Sequence, residues 1–149
     1  MQRHDMRMVD ISDKGDVARV AVASGTIKLK RSTIEQIKAG AAKKGDVLAC
    51  AEIAAILAVK KTPDMIPLCH YIIIDSVNVE FSIGEEEIKA SVTVKSVGKT
   101  GVEMDALCGV SIALLTIWDM VKPVEKDDTG NYPNTRIKDI LVEKKEKRA

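Results

Sequence analysis

The stretch that decides the fold spans residues 98–123 and reads GKTGVEMDALCGVSIALLTIWDMVKP. Thr100 lies three positions before Glu103, the spacing of a capping box, which predicts that a helix starts here. Because proline cannot continue a helix, we expect the helix to stop at Pro123. The residues between these ends are almost all apolar, so the helix should be buried on most of its sides.

The charged residues of this helix are the ones that need an explanation. Asp119 and Lys122 are three positions apart and therefore share one face. They could form an acid/base pair, or a salt bridge in which the cation faces the negative end of the helix dipole. The pair alone leaves both interpretations open. At the other end, the capping box accounts for Glu103, and the positive end of the dipole favours Asp105.

Residues 98–101, Gly-Lys-Thr-Gly, resemble the end of a phosphate-binding loop. The full motif requires a glycine five positions before Gly98, and the chain has Thr93 there. A nucleotide-binding P-loop is therefore not expected. A simpler anion site at a glycine-flanked helix start stays open.

The remaining chain supplies strands and a second apolar helix. Residues 1–16 are polar and predict an N-terminal arm, and residues 17–149 predict a single catalytic domain. Alternating apolar and polar residues predict a strand from Val17, with a bend at Ser24-Gly25, and a hairpin around residues 84–86. The other predicted elements are a short helix at 31–39, a helix from Val47 to about Lys61 capped by Asp46, a strand around 137–142, and a charged tail over 143–149.

The order of these elements predicts the fold class. With the short helix at 31–39 set aside, the order is strand, helix, strand, strand, helix, strand. This is the α+β, ferredoxin-like (βαββαβ) pattern, an antiparallel sheet with helices packed on one face. Helices on one face of a sheet bury only one side, whereas both main helices are apolar nearly all round. We therefore expect a homo-oligomer that covers the second side.

Composition excludes several classes of function. The 149 residues carry a formal net charge of +1, so no strong overall field points to nucleic acid or a membrane surface. Three widely spaced cysteines argue against a disulfide framework and a zinc motif, and no metal site is expected. With no apolar leader of signal-peptide type and no uninterrupted membrane-spanning run, we predict a cytoplasmic protein with no membrane partner.

Two further residues could carry chemistry. His70 follows Pro67 and Cys69 in an irregular connection, and both a structural and a catalytic role stay open for it. Lys44 precedes a predicted helix start, where a solvated lysine would be ordinary. Cys69 and Cys108 are most simply small buried apolar residues.

Four motifs together resemble one protein family. Lys-Gly-Asp-Val at 44–47, Ile-Pro-Leu-Cys-His at 66–70, Gly-Lys-Thr-Gly-Val-Glu-Met at 98–104 and Asp-Met-Val-Lys at 119–122 resemble the molybdenum cofactor biosynthesis protein C family, the cyclic pyranopterin monophosphate synthases. The resemblance covers roughly residues 8–128, and four motifs in this order are highly specific.

The resemblance implies a reaction and an assembly. The substrate would be 3′,8-cyclo-7,8-dihydroguanosine 5′-triphosphate, and the lyase would release cyclic pyranopterin monophosphate and pyrophosphate. It implies general acid/base chemistry with no redox cofactor, with Mg²⁺ a possible companion of the substrate triphosphate. It also implies a ferredoxin-like fold and a hexamer, a trimer of dimers.

The resemblance also implies the site residues. Asp119, Lys122 and Lys44 are the catalytic candidates, although Lys44 could instead hold phosphates. The substrate-binding candidates are His70, Cys69, Leu68, Glu103, Met104, Asp105, Arg19 and Lys145. Asp105 departs from the glutamate usual in the family, and either Lys144 or Lys145 could replace a family lysine whose Gly-Lys-Ser-Gly segment is absent here.

Two other classes of function compete with the synthase. Ferredoxin-like folds also serve as non-catalytic ligand-binding regulatory modules, and fold does not determine function. An RNA-binding role is disfavoured because one Phe, two Tyr and one Trp provide few stacking platforms for bases.

Overall fold

The computed structural model describes residues 5–148. Its elements are β1 (Val17–Lys28), α1 (Arg31–Lys38), α2 (Val47–Lys60), α3 (Thr62–Met65), β2 (Ile74–Ile83), β3 (Glu87–Gly98), α4 (Glu103–Glu125) and β4 (Arg136–Arg148). Residues 5–16 precede the first strand. The predicted division of the chain into an arm (1–16) and a catalytic domain (17–149) stays a prediction, and residues 1–4 and 149 of these ranges lie outside the described part.

The four strands form one antiparallel sheet in the order β2-β3-β1-β4. Helices α2 and α4 pack against each other and against this sheet. The predicted α+β ferredoxin-like class is therefore confirmed, with α1 and α3 as short additions to the βαββαβ order. The core lies between the sheet and the two long helices, where alternate residues of β1 and β3 such as Ala21, Ile27, Ile88 and Val92 are fully buried.

Two glycines allow α4 to approach its neighbours closely. A Cβ on Gly25 of β1 would lie 2.9 Å from side-chain atoms of Val110 and Leu114. A Cβ on Gly109 of α4 would lie 2.9 Å from Val59 Cγ2 of α2. The pairing of β1 with β4 shifts register between Ser24 and Thr26, which confirms the predicted bend.

Both predicted ends of α4 are wrong. The helix begins at Glu103 with Val102 as its N-cap residue, and no side chain within residues 5–148 caps it, so Thr100 and Glu103 do not form a capping box. The Glu103 carboxylate instead accepts a hydrogen bond from Lys145, 3.2 Å away. Pro123 lies inside the helix, which continues to Glu125, because a proline near the end of a helix removes only one backbone hydrogen bond.

The last strand is longer than predicted. β4 runs to Arg148 and includes most of the stretch predicted as a charged tail. Its register places Lys145 opposite Ala21 and Lys147 opposite Arg19. Charged side chains are suited to an edge strand, where they discourage pairing with other chains. Backbone pairing with β1 makes residues 143–148 a strand despite their polar sequence.

Helix α4 is long and apolar enough to cross a membrane by length and composition alone. Half of its most apolar window is buried inside the fold. Its inner side packs on the sheet and on α2, which is compatible with a buried core helix.

Candidate active site

The candidate residues gather at the two ends of α4. We call Lys44, Asp119 and Lys122 the C-terminal cluster, and Arg19, Glu103 and Lys145 the N-terminal cluster. Asp119 lies sixteen positions after Glu103 on the helix, which corresponds to roughly 24 Å at 1.5 Å per residue. One subunit therefore does not bring all the predicted site residues together.

In the C-terminal cluster, two lysines share one carboxylate. Lys122 Nζ lies 2.8 Å from Asp119 Oδ1, and Lys44 Nζ lies 3.0 Å from Asp119 Oδ2. Hydrogen bonds from Lys122 and then Lys44 lower the pKa of Asp119, and the same carboxylate raises the pKa of Lys122. All three side chains are partly exposed. In the isolated subunit the carboxylate and Lys122 are thus held in their charged forms.

Pro123 helps to explain how Lys44 reaches Asp119. An ordinary residue at position 123 would donate its backbone N–H to the carbonyl oxygen of Asp119, four positions earlier, but proline has no N–H. Lys44 Nζ donates a hydrogen bond to this carbonyl oxygen instead, at 3.2 Å. The loop before α2 thereby gains a second anchor on α4 beyond the ion pair.

We expect Pro123→Ala to weaken activity without weakening the fold. The new N–H would compete with Lys44 for the Asp119 carbonyl, and a hydrogen bond contributes about 0.5–1.5 kcal/mol net, so kcat should fall about 2–12-fold. The melting temperature should hold or rise, because alanine is a better helix residue than proline. Pro63→Ala, at the first turn of α3, is the matched control; equal kcat in both variants would show that the freed carbonyl has no role.

The N-terminal cluster lines a basic cleft of about 370 Å³. Lys145 Nζ pairs with Glu103 Oε1 at 3.2 Å, and Arg19 is buried, with its Nε donating to the Gly98 carbonyl at 3.1 Å. Lys144 instead pairs with Glu146, so the structure places Lys145, of the two lysines left open by the sequence, beside Glu103. The cleft is lined by Lys14, Arg19, Thr100, Gly101, Glu103, Lys145, Glu146 and Lys147. Four of these residues are cations and two are carboxylates, so the cations outnumber the carboxylates and suit a phosphate chain.

Glycine at position 101 makes room for the Glu103 side chain. A Cβ at this position would lie 2.2 Å from Glu103 Oε2 and 3.1 Å from Lys145 Cε. Glu103 Oε2 is buried and has no hydrogen-bond partner within residues 5–148. An unpaired buried oxygen is costly, so this atom is available to a donor from a ligand or a second subunit.

Asp105 and Cys108 lie in the first half of α4, and Cys69, from the connection between α3 and β2, lies near both. Asp105 is 1% exposed, and its Oδ2 has no partner among the described residues. Burial, with a smaller contribution from Glu103, raises the pKa of Asp105 to about 6. Burial, followed by the charge of Asp105, raises the pKa of Cys69, which makes this thiol a poor nucleophile at neutral pH.

We expect Asp105→Asn to remove a pH-dependent loss of stability. The folded pKa of about 6 lies above the ordinary value of 3.8, so folding favours the protonated carboxyl. The contribution of the protonated carboxyl to the free energy of folding is about 2–3 kcal/mol. It is complete below about pH 3.8 and is lost as the pH rises through about 6. Urea unfolding at fixed protein concentration should show the variant more stable than the wild type at pH 7.5 and equal to it at pH 4.

The exposed Asp75→Asn substitution is the matched control for this experiment, and it should leave the pH dependence of the wild type unchanged. If wild type and Asp105→Asn lose stability in parallel between pH 4 and pH 7.5, the Asp105 carboxyl is not the group responsible.

The remaining predicted residues lie toward the N-terminal cluster. His70 Nε2 donates to the Val9 carbonyl oxygen at 2.5 Å. His70 and Lys99 both lie near enough to add to the lowering of the pKa of Asp10, which is due mainly to the Ser12 backbone N–H. Met104 and Leu68 are exposed, at 39% and 46%. The arm therefore approaches the predicted site, which its polar composition did not reveal.

Sequence reasoning missed the residues that the arm contributes. Lys14 lines the basic cleft, and Asp10 lies near His70 and Lys99. Their signal was present only as isolated charged residues in a polar segment. Near the C-terminal cluster, Trp118 packs edge-to-face on Tyr132 with centroids 5.2 Å apart, and this contact is also invisible in the sequence pattern.

Comparison with known proteins identifies the family. A family model described as the MoaC family matches residues 8–148. The chain belongs to the MoaC family. A protein of Methanococcoides burtonii is 64% identical over 140 residues, covering 94% of this chain and 88% of that protein. Proteins of Thermococcus kodakarensis and Archaeoglobus fulgidus are each 58% identical over 142 residues, with 95% and 91% coverage.

All three relatives are named probable cyclic pyranopterin monophosphate synthase. Membership of the MoaC family confirms the resemblance inferred from the four motifs, and the match extends it to β4. The individual roles of the site residues stay predictions.

Proposed function

We propose that this protein is a cyclic pyranopterin monophosphate synthase of molybdenum cofactor biosynthesis. It converts 3′,8-cyclo-7,8-dihydroguanosine 5′-triphosphate to cyclic pyranopterin monophosphate and releases pyrophosphate. The observation that carries this proposal is the MoaC family match over residues 8–148, together with relatives of that name at 55–64% identity. A non-catalytic regulatory module is not favoured, since these relatives are named as enzymes.

The two clusters divide the work of this reaction. The reaction opens a purine-derived ring and closes a cyclic phosphate, so it needs proton transfers and a stabilised triphosphate. We assign the triphosphate to the N-terminal cluster, because Lys14, Arg19 and Lys145 line one cleft. We assign the proton transfers to Asp119 and Lys122, with Lys44 joining them or holding a phosphate.

The separation of the clusters supports an active site shared by two subunits. The roughly 24 Å between them along α4 is too long for one nucleotide to contact both within a subunit. The outer side of the helix layer exposes Ile53, Leu57 and Leu115, at 60%, 49% and 52%, which suits a covering subunit. We propose a homo-oligomer, arranged as the hexameric trimer of dimers that the family resemblance implies, with a cytoplasmic location.

A second subunit would also change the pKa of the lysines in the C-terminal cluster. In the single subunit, Asp119 raises the pKa of Lys122, which is unfavourable for a base. Burial by a partner and by substrate would penalise the charged forms and lower the pKa of a lysine. Oligomerisation thus supplies the desolvation that the half-exposed cluster lacks.

The proposal requires no redox cofactor and no resident metal. Within residues 5–148, no group of three His, Cys, Asp or Glu side chains gathers with metal-ligand geometry. We expect Mg²⁺ to act only through the substrate triphosphate.

The experiment that tests the function is direct. The purified protein is incubated with 3′,8-cyclo-7,8-dihydroguanosine 5′-triphosphate, and both pyrophosphate and the pterin product are measured. Stoichiometric appearance of the two supports the synthase. Tight binding of the nucleotide with no pyrophosphate would replace the synthase with a binding module.

A further inference from the structure

A buried carboxylate lies one turn beyond Lys122, and none of the roles proposed above falls on it. Glu125 is 1% exposed. Its Oε1 accepts a hydrogen bond from Thr135 Oγ1 at 2.7 Å, and its Oε2 accepts from the backbone N–H of Lys30 at 3.1 Å and from Thr33 Oγ1. Three segments therefore meet on one side chain: the last turn of α4, the start of α1 and the entry to β4.

Glu125 acts as the missing cap of α1. The N-cap residue of α1, Lys30, makes no side-chain capping bond, and the first turn of α1 contains no acidic residue. Glu125 supplies from another element an acceptor for the Lys30 N–H, one of the free N–H groups at the start of the helix. Its negative charge also faces the positive end of the α1 dipole, which helps to offset the cost of burying a carboxylate with no lysine or arginine within salt-bridge distance in residues 5–148.

Packing between α1 and α4 is otherwise thin. A cleft of about 230 Å³ separates the loop after α1 from the last turns of α4, lined by Gln36, Ala41, Ala42, Lys43, Met120, Val121, Pro123 and Val124. A cleft removes the contacts that would otherwise fix two packed elements. Ile34 of α1 is buried in the core, and the hydrogen bonds to Glu125 add a polar connection between these two helices.

The segment that Glu125 holds leads directly to Lys44. After α1, the chain turns at Gly40 and Gly45, which adopt φ values of 67° and 110°, and Lys44 lies between them. The segment 39–46 connects α1 to α2, so the position of α1 fixes one of the two ends between which Lys44 lies.

We propose that Glu125 is a positioning residue that sets the place of Lys44 against Asp119 by anchoring α1 to the end of α4. The proposal rests on the proposed function, because it assumes that the C-terminal cluster serves the reaction. It assigns Glu125 no contact with substrate. Its effect reaches the cluster through α1 and the loop 39–46.

Two substitutions of Glu125 separate positioning from charge. Glutamine can keep the network, since its oxygen can accept from Lys30 and Thr33 while its amide donates to the Thr135 hydroxyl. Glu125→Gln should therefore retain kcat within about threefold. Glu125→Ala removes the hydrogen bonds to Lys30, Thr33 and Thr135, and a small misplacement of a catalytic group can lower kcat about 10–100-fold with little change in KM.

The pKa of Asp119 distinguishes positioning of Lys44 from a purely structural role of Glu125, because a purely structural role would leave this pKa unchanged. Two cations face Asp119, Lys122 from its own helix and Lys44 from the loop, and both lower its pKa. If Lys44 moves away in Glu125→Ala, the pKa of Asp119 should rise toward its ordinary value while Lys122 keeps part of the lowering. Titration of ¹³C-labelled aspartate carboxyls, with Asp119→Asn to assign the signal, measures this change.

Ser24→Ala is the matched control, because it removes a hydrogen bond of a buried hydroxyl, to Glu143 at 2.6 Å, on the sheet far from Lys44. It should leave both kcat and the pKa of Asp119 unchanged. If Glu125→Ala does not fold, Thr33→Val and Thr135→Val each remove one anchor and are judged by the same two measurements.

The outcomes distinguish the two proposals. A raised pKa of Asp119 in Glu125→Ala, with the wild-type pKa restored in Glu125→Gln, supports positioning. This holds even if the wild type shows no turnover, because absent turnover would overturn only the synthase. An active wild type whose folded anchor variants keep the wild-type pKa of Asp119 and the wild-type kcat would overturn positioning and leave the synthase standing.

Discussion

Lys122→Ala and Asp119→Asn should each lower kcat by about 10²–10⁴-fold, the usual loss when a general acid or base is removed. The physical reason is the shared carboxylate: Asp119 Oδ1 lies 2.8 Å from Lys122 and Oδ2 lies 3.0 Å from Lys44. Asparagine keeps the size of the side chain but loses the charge that holds both ammonium groups. Turnover is measured as pyrophosphate release, with circular dichroism and oligomer size as checks of folding.

Lys126→Ala is the control for the first experiment, because Lys126 is an exposed lysine at the C-terminal end of the same helix. It should retain wild-type kcat. A folded Lys122→Ala or Asp119→Asn variant with turnover close to that of Lys126→Ala would remove the substituted residue from the catalytic set.

The second expected result is recovery of activity in mixtures of two inactive variants. If each site combines the N-terminal cluster of one subunit with the C-terminal cluster of its partner, then subunits carrying Arg19→Ala and subunits carrying Lys122→Ala complement each other. Each mixed pair forms one site with both clusters intact and one with both damaged. Random exchange of equal amounts should restore about one quarter of wild-type activity.

The structure also supplies the control for this mixture. Lys44 and Lys122 bind the same Asp119 within one subunit, so mixing Lys44→Ala with Lys122→Ala should recover nothing. His70→Ala with Lys122→Ala should recover, as Arg19→Ala does. Verified mixed oligomers with no recovery in either cross-cluster pair, or full activity in an isolated monomer, would contradict the shared site.

Several features followed from local sequence. The alternation in β2 and β3 and the apolar character of α2 and α4 predicted the ferredoxin-like class. The Asp46 cap of α2 is confirmed by the hydrogen bond from the Ala49 N–H at 3.0 Å. Such features depend on neighbours within about four residues, which is the range over which caps and side-chain periodicity act.

The family was also determined by the sequence, since its four motifs are short and local. Local signals failed where a distant segment competed for the same group. Glu103 fits a capping box by spacing, yet it binds Lys145, which is 42 residues away. The charged residues 143–148 have the composition of a tail, yet pairing with β1 makes them a strand.

What only the tertiary structure decided is which of the predicted residues lie together. The sequence motifs predicted one site that contains Lys44, His70, Glu103 and Lys122, and the fold divides these residues between the two ends of α4. It also brings Lys14 of the arm to the basic cleft and buries Glu125 between three segments. These placements depend on contacts between residues far apart in sequence, and no local periodicity, cap or motif spacing records such contacts.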